Sequence, residues 1–176
     1  MTFDEFMATH LAEALGFATV LAGDRASAED IVQETLIRAH RHWGKISGLE
    51  RPESYVRKMI INEFLSSRRR MRRLVPSGRG SDLDNRVTPD HAIRYVEHEA
   101  LLAELRKLPR RQRAALVLRY YEGLSDAAIG EILGCLPVTV RGYVSRALAA
   151  LRIEMRADLS ELRPSRRARQ ASGGER

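Results

Sequence analysis

The sequence has very little cysteine and no long apolar run, and both absences narrow the class of protein. A single cysteine, Cys135, excludes an internal disulfide and a cysteine-cluster metal site. No stretch of about 18 consecutive apolar residues occurs, so the sequence predicts no membrane-inserted helix. The start, MTFDEFMATH, is acidic, which is unlike a signal peptide. These absences together favour a cytoplasmic protein.

The short motifs that carry enzyme chemistry are also absent. The sequence contains no HExxH zinc motif, no GxxxxGK[ST] phosphate loop, no GxSxG nucleophile elbow and no GxGxxG dinucleotide fingerprint. His40 and His42 are two residues apart, so on a helix they point to different sides and cannot chelate a metal as an i, i+4 pair can. The sequence therefore predicts a protein that is not an enzyme and that uses no cofactor and no metal.

Charge is distributed unevenly along the chain, with a net negative balance at its start. The 176 residues carry a net charge of +7. Residues 1–36 hold seven acidic side chains and one arginine, a balance of −6, so the remaining 140 residues carry +13. This asymmetry indicates a basic body that meets a polyanion such as DNA, and an acidic end that meets a different partner.

Apolar residues recur at helical spacing through most of the chain, and no segment alternates as a β-strand would. We predict an all-α protein of two small helical domains joined by a flexible linker. The predicted boundaries are a first domain at 1–73, a linker at 74–90, a second domain at 91–160 and a disordered basic tail at 161–176. The linker prediction depends on its Pro, Gly, Ser and Asp content and its lack of periodicity.

Start and stop signals divide the first domain into three helices. Gly23 and Asp24 are expected to end the first helix, and Ser27 to cap the second. Trp43 is assigned to the apolar face of the second helix. A loop is expected from Gly44 to Arg51, after which Pro52 opens a third helix with its buried face at Tyr55, Val56, Met59, Ile60 and Phe64.

The stretch from Tyr120 to Arg152 has the pattern of a helix-turn-helix. Ser125 is placed as the N-cap of its first helix and Gly134 as a C-cap glycine, and Pro137 opens its second helix. The exposed positions of that second helix carry donors and cations suited to base edges and phosphates in a DNA major groove: Thr139, Arg141, Tyr143, Ser145 and Arg146. An ordinary helical hairpin is the alternative, but it has no need of such a polar face.

Three segments in order resemble one known family. The segment DRASAEDIVQETLIRAHRHW, residues 24–43, resembles the core-binding segment of extracytoplasmic-function sigma factors, a group of small RNA polymerase sigma subunits. The segment PESYVRKMIINEFLSSRRRMRR, residues 52–73, resembles the promoter-melting helix of that family. The resemblance resumes at ELRKLPRRQRAALVLRYYEGLSDAAIGEILGC, residues 104–135, and continues through the helix-turn-helix. Within the family the chain is most similar to the actinobacterial SigE-like subgroup.

The resemblance implies partners and site residues. Core RNA polymerase is the implied partner, through the clamp helices of its largest subunit and the flap of its second-largest subunit, with promoter DNA as the other. The implied core-polymerase contacts are Asp30, Gln33, Glu34 and Arg38. The implied contacts to the −10 element are Trp43, Arg57, Lys58 and Asn62, and the helix-turn-helix residues given above would read the −35 element. Whether an anti-sigma factor binds the chain is left open.

Two alternatives and two departures accompany this interpretation. A stand-alone helix-turn-helix regulator would explain residues 95–152 only. A DNA recombinase would need a nucleophile, for which Ser66 and Ser67 are the sole candidates. The family usually has Ala where this chain has Gly130, and its usual turn differs from Leu136, Pro137 and Val138 here, so the −35 sequence that is read stays undetermined.

Overall fold

The computed structural model describes residues 1–66 and 99–151, and every regular element in those two ranges is a helix. The first range contains α1 (Phe3–Ala22), α2 (Arg25–Arg41), α3 (Trp43–Ile46) and α4 (Pro52–Ser66). The second contains α5 (99–107), α6 (Arg110–Tyr120), α7 (Asp126–Leu133) and α8 (Pro137–Leu151). The predicted all-α fold class is confirmed. The predicted linker at 74–90 and the tail at 161–176 lie outside the described residues.

The first half is built on α1, α2 and α4, which pack against one another. A capping box starts α1, because Glu5 N–H donates to the Thr2 hydroxyl while Thr2 N–H donates to the Glu5 carboxylate. Gly23 ends α1 at φ 86°, a conformation that favours glycine, as the sequence predicted. The fully buried side chains between these helices are Phe17, Leu21, Ile60, Ile61 and Phe64.

Three sequence predictions about this half are wrong in detail. The N-cap of α2 is Asp24, whose carboxylate accepts from Ser27 N–H at 2.8 Å, so Ser27 is not the cap. Trp43 lies beyond the end of α2 and begins the short α3, so the expected loop contains a helical turn. Tyr55 is 46% exposed rather than buried, because the inward face of α4 runs through Val56, Ile60 and Ile61.

The second half packs α6 against α7 and α8, with its apolar core drawn from all three helices. The Ser125 hydroxyl accepts from Ala128 N–H at 3.3 Å, Gly134 has φ 64°, and α8 begins at Pro137, which confirms the three predicted signals. The axes of α7 and α8 differ by 97°. No single helix in the described ranges is long and apolar enough to cross a membrane, although α7 and α8 together have sufficient length and apolar composition.

Candidate functional site

The predicted polymerase-binding residues share one face of α2. Asp30 and Gln33 are exposed, and Glu34 is half-buried. Arg38 is 44% exposed, and its guanidinium donates to the buried Glu63 carboxylate of α4 at 2.5 Å. This pair fixes the Arg38 guanidinium against α4, so Asp30 and Gln33 are the exposed polar groups of the face that the structure leaves without such a pair to α4.

An apolar groove of about 560 Å³ lies beside those residues, between α1 and α2. Phe3, Leu11 and Leu15 line it from α1, and Val32, Leu36 and Ile37 line it from α2. Ile37 is 44% exposed, and Glu29 and Gln33 stand at the edge. The sequence interpretation missed this groove. The available signal was Ile37, an apolar residue outside the buried stripe of α2.

Trp43, predicted to meet the −10 element, is half-buried in an aromatic cluster. Its ring lies 5.3 Å from that of Phe3 and 4.9 Å from that of Phe6, measured between centroids. Its indole Nε1–H donates to the Met1 carbonyl at 3.2 Å. Most of the indole therefore packs against α1, and its contact with DNA stays a prediction.

The other three predicted −10 contacts lie along α4 but differ in their surroundings. Lys58 and Asn62 are exposed. The Arg57 side chain is only 16% exposed, because its guanidinium is held by two carboxylates. Nη2 donates to Glu13 of α1, and Nη1 donates to Glu122 of the second half at 2.6 Å. Sequence reasoning missed both partners, since the chain separates them from Arg57 by 44 and 65 residues.

Further contacts join the two halves near this arginine. Arg113 of α6 is 6% exposed, and its Nη1 donates to the Ala22 carbonyl at the end of α1 at 2.5 Å. Arg110 donates to the Phe64 carbonyl of α4, and both guanidinium groups lie within about 5 Å of the Phe64 ring centroid. Burial lowers the pKa of Arg113 to about 10, and the positive charge of Arg110 adds to that effect. One buried cation, Arg113, is thus desolvated at the contact between the halves, beside half-buried Arg110.

Two residues next to Glu122 pack this contact further. Tyr121 is 2% exposed, and its ring centroid lies 5.9 Å from that of Phe17 in α1. Gly123, with φ 70°, turns the chain immediately after Glu122. Glu122 therefore faces α4 from a short, well-defined turn at the end of α6.

The predicted −35 residues lie together along α8. Arg141, Ser145 and Arg146 are exposed, and Thr139 and Tyr143 are half-buried. The Arg146 guanidinium carbon lies 5.5 Å from the Tyr143 ring centroid, which orders this cation before any DNA arrives. This surface presents three hydroxyl groups and two cations, which can donate to phosphates and base edges.

Two apolar side chains stand exposed at the start of the same helix. Leu136 is 69% exposed and Val138 is 58% exposed, among the most exposed large apolar side chains in the described residues. The turn before them is tight, because Cys135 N–H donates to the Gly130 carbonyl at 2.9 Å. A Cβ added at Gly130 would lie 2.6 Å from the Cys135 carbonyl oxygen. The two departures from the family pattern, Gly130 and the turn that begins α8, therefore lie in direct contact with each other.

In the described part of the chain, no group of three or more His, Cys, Asp or Glu side chains could hold a metal ion. The ionisable groups at the surfaces above act through ion pairs and hydrogen bonds. Such groups can bind phosphates, base edges and another protein.

Comparison with known proteins identifies the family of this chain. Residues 6–74 match the family model for sigma-70 region 2, and residues 98–151 match that for sigma-70 region 4. The chain is 35% identical over 151 residues to the ECF RNA polymerase sigma factor SigL of Mycobacterium tuberculosis, an alignment that covers 83% of this chain and 84% of SigL. It is 29% identical over 156 residues to the RNA polymerase sigma-E factor of Streptomyces coelicolor, covering 88% and 86% of the two chains.

Solved structures share the fold. The sigma factor RpoE of Bartonella quintana, solved with the anti-sigma factor NepR, superposes with a TM-score of 0.61 at 24% identity, covering 90% of this chain and 96% of that one. CnrH, solved with the cytosolic domain of CnrY, gives a TM-score of 0.54 at 21% identity, covering 85% and 84%. At these identities the likeness establishes the helical architecture.

Proposed function

This chain belongs to the extracytoplasmic-function group of the sigma-70 family, and from that premise we propose how its two halves divide the work of transcription initiation. The chain is a sigma factor that binds core RNA polymerase and directs promoter-specific initiation. It acts as a non-enzymatic initiation factor, and we place that action in the cytoplasm, where core polymerase and promoter DNA meet. A stand-alone regulator is not favoured, because it would leave the region 2 match at residues 6–74 without a role.

The polymerase-binding face is α2 together with the groove beside it. Asp30 and Gln33 offer exposed polar contacts, and the groove offers an apolar surface rimmed by Glu29. A partner helix with apolar residues on one side and basic residues beside them would satisfy both features. We propose that the clamp helices of the largest polymerase subunit bind here. The flap of the second-largest subunit is the proposed partner of the second half.

The −10 surface is the exposed side of α4. Lys58 and Asn62 supply a cation and an amide that can hydrogen-bond to phosphate and to base edges, and Arg57 lies one residue before Lys58. Opening a promoter unpairs bases, at a cost of a few kcal/mol per base. Cations placed beside the exposed strand offset part of that cost.

The −35 surface is α8, with Arg141 in its second turn and Arg146 one turn further on. A recognition helix contacts base edges mainly through its N-terminal residues. We assign Arg141 to base reading and Arg146 to phosphate. The linker predicted at 74–90 would let both halves bind their promoter elements together, which raises the effective concentration of the second contact. The solved structure of RpoE contains the anti-sigma factor NepR, and we include such a protein among the candidate partners of this chain.

The proposal is supported chiefly by the presence of both region matches in order on one chain. Its test is reconstitution with core polymerase. Asp30→Lys or Glu34→Lys should weaken core binding at least tenfold in titrations, because a reversed charge at an interface costs several kcal/mol. The matched control is Glu99→Lys, the same charge change at an exposed residue of the second half. All three variants should still bind duplex DNA. Undiminished core affinity in the Asp30 and Glu34 variants would contradict the assignment of α2.

A further inference from the structure

The ion pair between Arg57 and Glu122 has no role in the function proposed above. Arg57 lies on the proposed −10 surface, yet the structure has it bonded to a carboxylate from the other half of the chain. The nitrogen-to-oxygen distance is 2.6 Å, and the two side chains are 16% and 11% exposed. Such a partly desolvated, charge-assisted pair is stronger than an exposed surface ion pair.

The charges around Arg57 determine what this pair does. One guanidinium faces two carboxylates, Glu13 and Glu122, so the cluster has a net charge of −1. A DNA phosphate approaching this cluster meets repulsion. When Glu122 leaves, Arg57 and Glu13 sum to zero, and the Nη1 donors become available. Glu13 belongs to the same half as Arg57 and stays with it, so Glu122 is the carboxylate whose departure changes the charge around Arg57.

We propose that Glu122 is a positioning residue that competes with the promoter −10 strand for the Arg57 guanidinium, so that the closed arrangement of the two halves withholds one of the three α4 contacts. This inference rests on the proposed −10 role of α4. Lys58 and Asn62 are exposed in the same arrangement and can meet DNA first. Arg57 joins them only after the second half has moved away.

The contact is suited to such a competition because it can separate without leaving a buried charge behind. Glu122 sits on a turn and is half-buried only where it meets α4, so separation returns it to water. Among the described residues, other contacts across the halves include hydrogen bonds from Arg110 and Arg113 to the carbonyls of Phe64 and Ala22. Both guanidinium groups also lie over the Phe64 ring, and Tyr121 packs on Phe17. DNA that binds Arg57 therefore has to displace Glu122 and separate these contacts.

The experiment compares Glu122→Gln with Glu99→Gln, which removes the same charge from an exposed residue of the same half. The full chain is labelled for energy transfer at exposed Ala12 and Ala127, substituted by cysteine in a C135S background. Glu122→Gln should lower the transfer efficiency and Glu99→Gln should leave it unchanged. Circular dichroism verifies folding, and Glu122→Asp, which keeps the charge on a shorter side chain, should fall between the two.

The second readout is binding of a fluorescent 20-nucleotide single strand of random sequence, measured across a salt series. Glu122→Gln should bind about fivefold more tightly, since a partly buried pair contributes roughly that factor. It should also raise the slope of log affinity against log salt by about one, because one more cation reaches phosphate. In an Arg57→Gln background, Glu122→Gln should add nothing.

The outcomes separate this inference from the function that it rests on. If Glu122→Gln equals Glu99→Gln in both energy transfer and strand binding, or keeps its gain without Arg57, the competition is refuted. If Arg57→Gln binds the strand as tightly as the unaltered chain and initiates normally in a reconstituted holoenzyme, then the −10 assignment of Arg57 fails instead. Energy transfer that changes with Glu122→Gln, together with a gain that requires Arg57, supports the proposal.

Discussion

Replacement of Gly130 by alanine should destabilise this protein, although alanine is the better helix former. At an unconstrained helix position the change would gain about 1 kcal/mol. Here the new Cβ would lie 2.6 Å from the Cys135 carbonyl oxygen and 3.6 Å from the Pro137 nitrogen. Both neighbours are backbone atoms, and Cys135 is tied to Gly130 by its own hydrogen bond. The turn must move by several tenths of an ångström for the methyl group to fit.

The expected magnitude follows from two opposing effects. Overpacking at a rigid buried site costs about 1–3 kcal/mol. Subtracting the helix-propensity gain of about 1 kcal/mol leaves a net loss of about 1 kcal/mol in the free energy of unfolding. For a chain of this length that corresponds to a fall of about 2–4 °C in Tm. Because α8 begins at Pro137, directly after the displaced turn, binding to a −35 duplex should weaken as well.

The control for this prediction is Ala127→Gly in the same helix. Ala127 is exposed, so losing its methyl group costs helix propensity alone, about 1 kcal/mol. Both variants should therefore lower Tm, although one adds a methyl group and the other removes one. Thermal unfolding followed by circular dichroism, with fluorescence anisotropy on a −35 duplex, measures the two effects. A rise in Tm for Gly130→Ala would show that the turn yields freely, and the steric argument would be wrong.

Three further predictions concern DNA binding and chain organisation. Arg141→Ala should lose about 1–3 kcal/mol of binding free energy on the cognate −35 duplex and become less selective at one base pair. Arg146→Ala should lower the affinity for all duplex sequences and reduce the slope of log affinity against log salt by about one. A change of base preference in Arg146→Ala alone would contradict this docking. Deoxyuridine lacks the methyl group of thymidine, so replacing the −35 thymines by it should weaken binding if exposed Leu136 contacts those methyl groups. In Leu136→Ser the thymine and uracil duplexes should bind with equal affinity. Limited proteolysis should cut first at Arg79 or Arg86, in the predicted linker; earlier cleavage within the described helices would refute the two-domain division.

Local chemistry made much of the fold predictable. Ser125, Gly134 and Pro137 act through their own backbone preferences and nearest amides, so their roles could be recognised within a few residues of sequence. The errors occurred where two local signals competed. Asp24 and Ser27 are both good N-caps, and the structure uses the one that directly follows the left-handed Gly23. Propensity alone does not decide between them.

Burial was harder to predict for residues that combine an apolar body with a polar end. Tyr55 and Trp43 have the hydrophobicity of core residues, yet Tyr55 is exposed and Trp43 packs against α1 from a separate short helix. Arg113 shows the opposite error, since a cation is rarely expected inside. Its position is possible because the Ala22 carbonyl, left without a helical partner at the end of α1, accepts its hydrogen bond. Arg113 reaches that acceptor only when the two halves meet.

The same reasoning explains why candidate residues on α2, α4 and α8 could be proposed from sequence while the Arg57 cluster could not. The members of each set lie close together in the sequence, within segments that resemble one family. Glu13, Arg57 and Glu122 belong to three separate elements and share no local pattern. Their proximity arises from packing between α1, α4 and α6. In the proposed competition, Arg57 binds DNA in one state and the chain's own carboxylate in another. Only the folded structure brings the carboxylates of Glu13 and Glu122 to the same guanidinium.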